Sequence, residues 1–180
     1  GDILVMDADG QNQMRIAEVK NADGRLSWSP DGKRVAYTRG GKVTFQEPEN
    51  SGGQKKVYDI FIAYLDSAKS GNTFWWRRLT ADLGGRDPEW NPDGTIYFTR
   101  DLNANTVNAT FPNYQICTMD PDGGNQTILR KDWQTMKEWF MSPTISPKGD
   151  IAFVHVYDGK PQGIAVLNKA NIMKSTDSVK

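Results

Sequence analysis

The fold is decided by the stretch SWSPDGKRVAYTR at residues 27–39. It returns as EWNPDGTIYFTR at residues 89–100 and, in a weaker form, as TISPKGDIAFVH at residues 144–155. The prolines of the three copies stand at positions 30, 92 and 147, so the copies recur every 55 to 62 residues. A recurrence of this length predicts a repeat architecture.

A second motif alternates with the first. It reads ILVMDADG at residues 3–10, IFIAYLD at 60–66 and ICTMDPDG at 116–123, and GIAVLN at 163–168 is a fourth, partial copy. A short stretch of mixed polar and apolar residues follows each of the first three copies. The two motifs therefore belong to one unit that is repeated along the whole chain.

Each motif predicts strands joined by a tight turn. In Pro-Asp-Gly, proline presets φ, aspartate can bond the neighbouring backbone, and glycine accepts a positive φ. The runs after this turn alternate apolar and polar residues, the pattern of a strand with one face more buried than the other. The unit is then strand A, Pro-Asp-Gly turn, strand B, variable loop, strand C, Asp-rich turn and strand D.

Four antiparallel strands recurring at this spacing predict an all-β fold, a β-propeller with four-stranded blades. The chain holds about three and a half blades, in pieces at about residues 2–17, 25–81, 86–130 and 143–180. The strings WSPDG, VAYT and VMDADG resemble the WD-like repeat of TolB-type propellers. Propellers of that family have six to eight blades, so the resemblance implies that this chain is part of a larger ring.

Composition excludes several classes of function. Lys plus Arg and Asp plus Glu both number 22, so the net charge is zero and the basic surplus expected of a nucleic-acid-binding protein is missing. No apolar run approaches the roughly 18 residues of a membrane span. Cys117 and His155 are single, which leaves no cysteine cluster and no histidine-based metal site.

Catalytic motifs are also missing from the sequence. There is no Gly-x-Ser-x-Gly elbow, no Walker loop and no Ser-His-Asp set, because the one histidine is predicted on a strand B. We therefore expect no catalytic residues, no metal site and no cofactor. The alternative for the Asp-rich turns at residues 7–9 and 120–122 is a calcium site, although such turns already need their aspartates for backbone bonds.

The aromatic residues suggest where binding occurs. Trp28 and Trp90 hold one repeated place on strand A, so packing between blades explains both. Trp75, Trp76 and Arg77 enter an outer strand D, where covering a neighbouring blade and contacting a partner both remain open. Trp139 and Phe140 are predicted in an irregular stretch that joins one blade to the next.

Two long connections, residues 40–57 and 101–113, join strands B and C and so emerge on one rim of the ring. Loops on a rigid scaffold commonly carry binding residues. The predicted partner-binding residues here are Glu47, Tyr58, Phe111, Asn113 and Tyr114.

The resemblance implies a non-catalytic scaffold that binds a protein at the ring mouth. We expect it in the periplasm or cell envelope of a bacterium, as an accessory subunit of a membrane-anchored complex. The alternative is the propeller part of an enzyme, such as a prolyl-oligopeptidase-like or tricorn-like peptidase, whose catalytic part lies outside these residues. An α/β-hydrolase segment elsewhere in the parent gene would favour the enzyme.

Overall fold

The computed structural model describes residues 2–19, 22–44, 54–66, 76–81, 84–104, 112–129 and 137–170. These residues form thirteen β-strands and no named helix, which confirms the all-β prediction. The strands are Asp2–Val5 (β1), Met14–Glu18 (β2), Ala22–Trp28 (β3), Arg34–Thr44 (β4), Gln54–Tyr64 (β5), Trp76–Arg78 (β6), Gly85–Trp90 (β7), Ile96–Asp101 (β8), Tyr114–Met119 (β9), Thr127–Ile128 (β10), Glu138–Ile145 (β11), Ile151–Tyr157 (β12) and Lys160–Leu167 (β13).

The strands form four antiparallel sheets that follow one another along the chain. Their orders are β1-β2, β3-β4-β5-β6, β7-β8-β9-β10 and β11-β12-β13. We refer to them as the first to the fourth blade. The first blade consists of the strands that correspond to C and D, and the fourth of those that correspond to A, B and C. The described residues are thus a partial β-propeller, as the repeat predicted.

The Pro-Asp-Gly turns have the bonding that the sequence predicted. In the second blade, Asp31 accepts the Ser29 hydroxyl at 2.5 Å and the backbone N–H of Lys33 at 3.0 Å. In the third blade, Asp93 accepts the N–H of Thr95 at 2.9 Å, and Gly94 donates its N–H to Asn91 O at 2.9 Å. The turn chemistry is local, and it recurs wherever the motif recurs.

We predict that Gly94→Val lowers the free energy of unfolding by about 1–3 kcal/mol, the cost of forcing a β-branched residue into a left-handed conformation. Gly94 has a φ of +92°, and a Cβ there would meet only the Pro121 Cγ, at 3.9 Å, so backbone strain is the cause. Urea denaturation measures the loss. Thr95→Val is the control, and an unchanged midpoint for the glycine variant would contradict the role given to this turn.

In the described part of the chain, the core is divided into three apolar clusters, and each lies between two neighbouring blades. The second of them joins Ile60 and Ile62 of β5 to Trp90, Ile96 and Phe98 of the third blade. The first cluster packs β1 and β2 on the second blade, and the last packs the third blade on the fourth. Because strand residues alternate between faces, each inner blade contributes one row of side chains to the cluster before it and one to the cluster after it.

One of the two long loops is shorter than predicted. Residues 40–44 continue β4 and residues 54–57 begin β5, with Gly40 opposite Tyr58, Gly41 opposite Val57 and Thr44 opposite Gln54. The sequence placed Gly40 and Gly41 in the loop, which is wrong, because both are paired with residues of β5. Gly40 is buried, and a Cβ on Gly41 would lie 3.7 Å from the Val57 side chain. Both glycines are therefore packed within the sheet.

Two predictions about tryptophans on strand A also need correction. Trp28 and Trp90 do occupy the same place, opposite Val35 and Ile96. Only Trp90 is a core residue, however, because Trp28 is 48% exposed. Trp139, which the sequence placed in an irregular connection with Phe140, lies in strand β11.

Candidate functional site

Three predicted binding residues lie at one rim of the arc of blades. In an antiparallel blade, strand A begins, strand B ends and strand C begins at the same edge, which we call the B–C rim. Tyr58 is the fifth of the eleven residues of β5 and pairs with Gly40, Tyr114 begins β9, and Asn113 immediately precedes it. Gly84, just before β7, forms a bridge with Tyr58 and so brings the start of the third blade against the second.

Arg86 of β7 lies between two of these aromatic residues. Its guanidinium carbon is 4.9 Å from the centre of the Tyr58 ring and 5.9 Å from the centre of the Tyr114 ring. Its Nε is 3.4 Å from the Asp87 carboxylate. Burial opposes the charge of Arg86, but Asp87, Tyr114 and Tyr58 outweigh burial, and the pKa of Arg86 is raised above its ordinary value.

The aromatic surface continues onto the fourth blade. The rings of Tyr114 and Trp139 meet edge to face, with centres 6.1 Å apart. Burial raises the pKa of Tyr114, so its phenol keeps its proton over the physiological range. Tyr58, Arg86, Tyr114 and Trp139 therefore form one half-buried cluster across three blades, which we call the rim cluster.

The base of the second long loop is held by hydrogen bonds. Asp101 accepts the backbone N–H groups of Asn103 and Asn113, both at 2.9 Å. Gln115 donates to the Asn113 side-chain oxygen at 3.0 Å and to Glu138 O at 3.3 Å, and so joins the third blade to the fourth. Asn113 is thus a fixed support of the rim, with its side-chain oxygen already bonded.

The outer-edge residues form a separate group. Trp76 begins β6, pairs with Ala63, and is about half exposed. Its ring meets Phe61 at 5.4 Å, and the guanidinium of Arg39 lies 5.9 Å from its centre. Trp76 thus covers part of the interface between the first two blades, and Arg77 beside it is exposed. Strand D begins at the edge opposite the B–C rim, so this group does not join the rim cluster.

Glu47, Phe111 and Trp75 lie outside the described residues, so the structure places five of the eight predicted residues. Sequence reasoning missed Arg86, which follows no motif. The Arg86 side chain contacts the rings of Tyr58 in β5 and Tyr114 in β9. These residues are distant in sequence from Arg86, and the packing of neighbouring blades brings them together. Trp139 was noticed, but its strand was not.

The Asp-rich turns use their carboxylates locally. Asp7 accepts the side-chain N–H of Asn12 at 2.6 Å, and Asp9 accepts the backbone N–H of Gln11 at 3.0 Å. Asp120 and Asn125 repeat the first of these bonds at 2.6 Å. Among the residues that the structure describes, no three His, Cys, Asp or Glu side chains gather into a group that could hold a metal ion.

Cys117 is buried in the cluster between the second and third blades, as expected of a small apolar filler. Burial raises the pKa of its thiol to about 12, so the thiolate is not formed near neutral pH. No helix in the described ranges is long and apolar enough to cross a membrane.

Comparison with solved structures finds propellers. TolB from Acinetobacter baumannii aligns with a TM-score of 0.64 at 21% identity, over 93% of this chain and 35% of that chain. A putative TolB from Agrobacterium tumefaciens aligns with a TM-score of 0.64 at 19% identity, over 94% and 53%. Kuenenia stuttgartiensis hydrazine synthase aligns with a TM-score of 0.62 at 14% identity, over 93% and 28%.

The chain spans between about a quarter and a half of these structures, and at such identities the likeness concerns the fold. No family model and no curated protein matches the sequence. The described residues therefore form a partial β-propeller, similar in fold to the TolB structures.

Proposed function

We propose that this chain is a non-catalytic scaffold that binds a protein partner through its B–C rim, within a membrane-associated complex of the bacterial cell envelope. The observation that supports it most is the rim cluster, in which Tyr58 and Tyr114, both chosen from the sequence, flank Arg86. Tyrosine, tryptophan and arginine are the residue types enriched in the binding hot spots of interfaces.

The chemistry of the cluster suits a protein surface. Aromatic rings supply large contact areas at small entropic cost, and a guanidinium over a ring can donate to acceptors of a partner. The cluster stands on strands of three blades, which hold it rigid before a partner arrives. Asp101 and Asn113, both partly exposed, give the polar surroundings typical of interface rims.

One of the similar structures is named for an enzyme, hydrazine synthase. The second candidate function is accordingly the propeller part of an enzyme whose catalytic residues lie outside this chain. The parent gene discriminates between the two: a catalytic domain beside the propeller favours the enzyme, and an envelope-targeting or anchor segment favours the scaffold.

We predict that shortening both rim loops abolishes partner binding and leaves the propeller folded. Residues 45–53 are replaced by Asn-Gly, because Thr44 and Gln54 are paired and a two-residue turn can close that hairpin. Residues 105–111 are replaced by a short glycine linker. The tagged chain is expressed in its own organism, and co-purifying proteins are identified by mass spectrometry while thermal melting checks the fold.

The double variant Tyr58→Ser, Tyr114→Ser tests the cluster without altering the loops, and we expect it to weaken co-purification by about tenfold or more, as loss of hot-spot residues does. Trp76→Ser on the outer edge is the matched control and should retain the partner. Retention of the partner by both the loop-shortened protein and the double serine variant would contradict the rim assignment and direct attention to Trp75, Trp76 and Arg77.

A further inference from the structure

The two middle strands of the second blade continue beyond its outer strands at the B–C rim. Residues 40–44 of β4 pair with residues 54–58 of β5. The outer strands β3 and β6 pair with them no further out than Arg39 and Phe61. Among the described residues, and apart from one bridge to Gly84 at its base, this part of the hairpin is a two-stranded extension, which we call the ribbon.

The ribbon is basic. Its two sequences, GGKVT and QKKVY, contain three lysines and no acidic residue. Lys42 is the register partner of Lys56, and Lys55 is the partner of Val43. Like charges directly opposite each other destabilise a pair of strands, and a two-stranded pairing is only marginally stable by itself. A ligand with negative charge would therefore stabilise the ribbon when it binds there.

The lysine pair is in line with the rim cluster. Successive residues of a strand belong to opposite faces, so positions 56 and 58 of β5 share a face, and position 42 shares it through its pairing with 56. Ile60 continues this face and packs in the apolar cluster that the second and third blades share. The face thus runs from the lysine pair to Tyr58, whose ring contacts Arg86 of the third blade.

Arg86 supplies a positive group at the base of this face. Its side chain is 26% exposed, whereas that of Asp87 is 7% exposed. The Arg86 Nε is buried, and no described residue accepts a hydrogen bond from it, because the Asp87 carboxylate stays 3.4 Å away and also accepts the Ser142 hydroxyl. A ligand of Arg86 must therefore bind the terminal nitrogens, whose N–H groups form a fork that fits a carboxylate.

We propose that the B–C rim binds an acidic segment of its protein partner, with one carboxylate on Arg86 between the Tyr58 and Tyr114 rings and further carboxylates at Lys42 and Lys56. This inference rests on the proposed function, because it names the chemistry of the partner that the rim cluster receives. The two rings hold the guanidinium in one orientation, which a bidentate pair with a carboxylate requires. The ribbon supplies the net positive charge, since Asp87 balances Arg86.

A nucleic acid fits this place less well than an acidic peptide. Asp101, the register partner of Tyr114, is partly exposed and adds negative charge to the same rim. A nucleic acid carries a phosphate at every nucleotide, and each phosphate contact uses a lysine or arginine. An acidic peptide can instead place carboxylates on the basic groups and neutral residues beside Asp101. Nucleic acid binding is therefore one of the outcomes that the test distinguishes.

The first test selects binders from a library of short random peptides displayed on phage, with the full 180-residue chain as the target. We expect the selected peptides to be enriched in Asp and Glu. Their affinity for the Arg86→Lys variant should fall by about tenfold or more, because lysine keeps the charge beside Asp87 but cannot form the bidentate pair. Thermal melting checks that this variant remains folded.

Three outcomes of the selection overturn the proposal. Selected peptides can be neutral or basic, or they can bind the Arg86→Lys variant as tightly as the original chain. Selection can also yield only peptides that the double variant Tyr58→Ser, Tyr114→Ser still binds, in which case they do not occupy the rim cluster.

Two controls separate this site from general attraction between charges. Lys56→Gln should weaken the selected peptides and reduce the salt dependence of their binding. Lys33→Gln, which changes an exposed lysine of the A–B turn at the opposite rim, should do neither. A single-stranded DNA oligonucleotide is the competing probe. If it binds as tightly as the selected peptides, the rim takes polyanions of any kind and the proposal is wrong.

The second test uses the native partner, co-purified with the tagged chain. A carbodiimide joins an amine to a carboxylate that it touches and leaves no spacer, so mass spectrometry of the linked peptides reports direct charge pairs. We expect links from Lys42 or Lys56 to Asp or Glu of the partner, and none from Lys33. The segment between the two ribbon strands contains Glu47 and Glu49. Links from the ribbon lysines to these two residues alone would overturn the proposal.

Failure of this inference differs from failure of the proposed function. A partner that is lost from the double serine variant, but is neither cross-linked to the ribbon nor weakened by Arg86→Lys, binds the rim without an acidic segment. A partner that both the double serine variant and the loop-shortened protein retain does not bind the rim at all, whatever its charge.

Discussion

Replacing Trp90 with alanine should lower the free energy of unfolding by about 3–5 kcal/mol, the range for removing a large aromatic residue from a core. Trp90 is buried between the second and third blades, where it contacts Arg34 and the apolar residues of β5 and β8. Its indole N–H is buried without a hydrogen-bond partner, so its removal relieves a small cost and favours the lower end of that range. Urea denaturation followed by circular dichroism measures the loss.

Trp28→Ala is the matched control, since Trp28 has the same place in the preceding repeat. About half of its surface is exposed, so we expect a loss of less than about 1 kcal/mol. Equal losses for the two variants would contradict the difference in burial between the two tryptophans.

Gly123→Ala should cost about 2–4 kcal/mol. Gly123 has a φ of +86°, which alone costs an alanine about 1 kcal/mol. A Cβ would also lie 2.8 Å from Leu79 O and 3.2 Å from Leu79 Cα, and overpacking against backbone adds about 1–3 kcal/mol. Gln126 connects the same two segments, because its side-chain amide donates to Leu79 O at 3.2 Å and to Gly123 O at 2.9 Å. The change therefore separates the second and third blades where they meet.

Gly10→Ala is the control for strain alone, because Gly10 has the same place in the Asp7 turn and a φ of +84°. Nothing lies within 4 Å of its Cβ position, so about 1 kcal/mol is expected. If both variants lose the same stability in urea denaturation, the close approach to Leu79 contributes nothing and the predicted contact between blades is wrong.

The sequence by itself determined the strands, the turns and the repeated unit. Pro-Asp-Gly and Asp-x-Asp-Gly act through bonds within a few residues, such as those of Asp31 with Ser29 and Lys33, and so the turn forms wherever the string occurs. Alternation of apolar residues predicted strands with one face more buried than the other, which is wrong for the inner blades. Ile96, Tyr97 and Phe98 of β8 are all buried, because a neighbouring blade lies against each face. The number of strands and their order followed from these local rules.

Tertiary structure decided everything that depends on which blade lies beside which. Trp28 and Trp90 stand in equivalent strings, yet one is exposed and the other buried, because burial depends on the neighbouring hairpin and that lies outside the repeat. Arg86 contacts Tyr58 of the second blade and Tyr114 of its own blade, and no local sequence pattern predicts these contacts. Gly10 and Gly123 share a turn and a φ, but only the second lies against another blade. A repeat encodes its own bonds in its own residues, whereas contacts between repeats are made by residues that are distant in sequence, and only the folded arc brings them together.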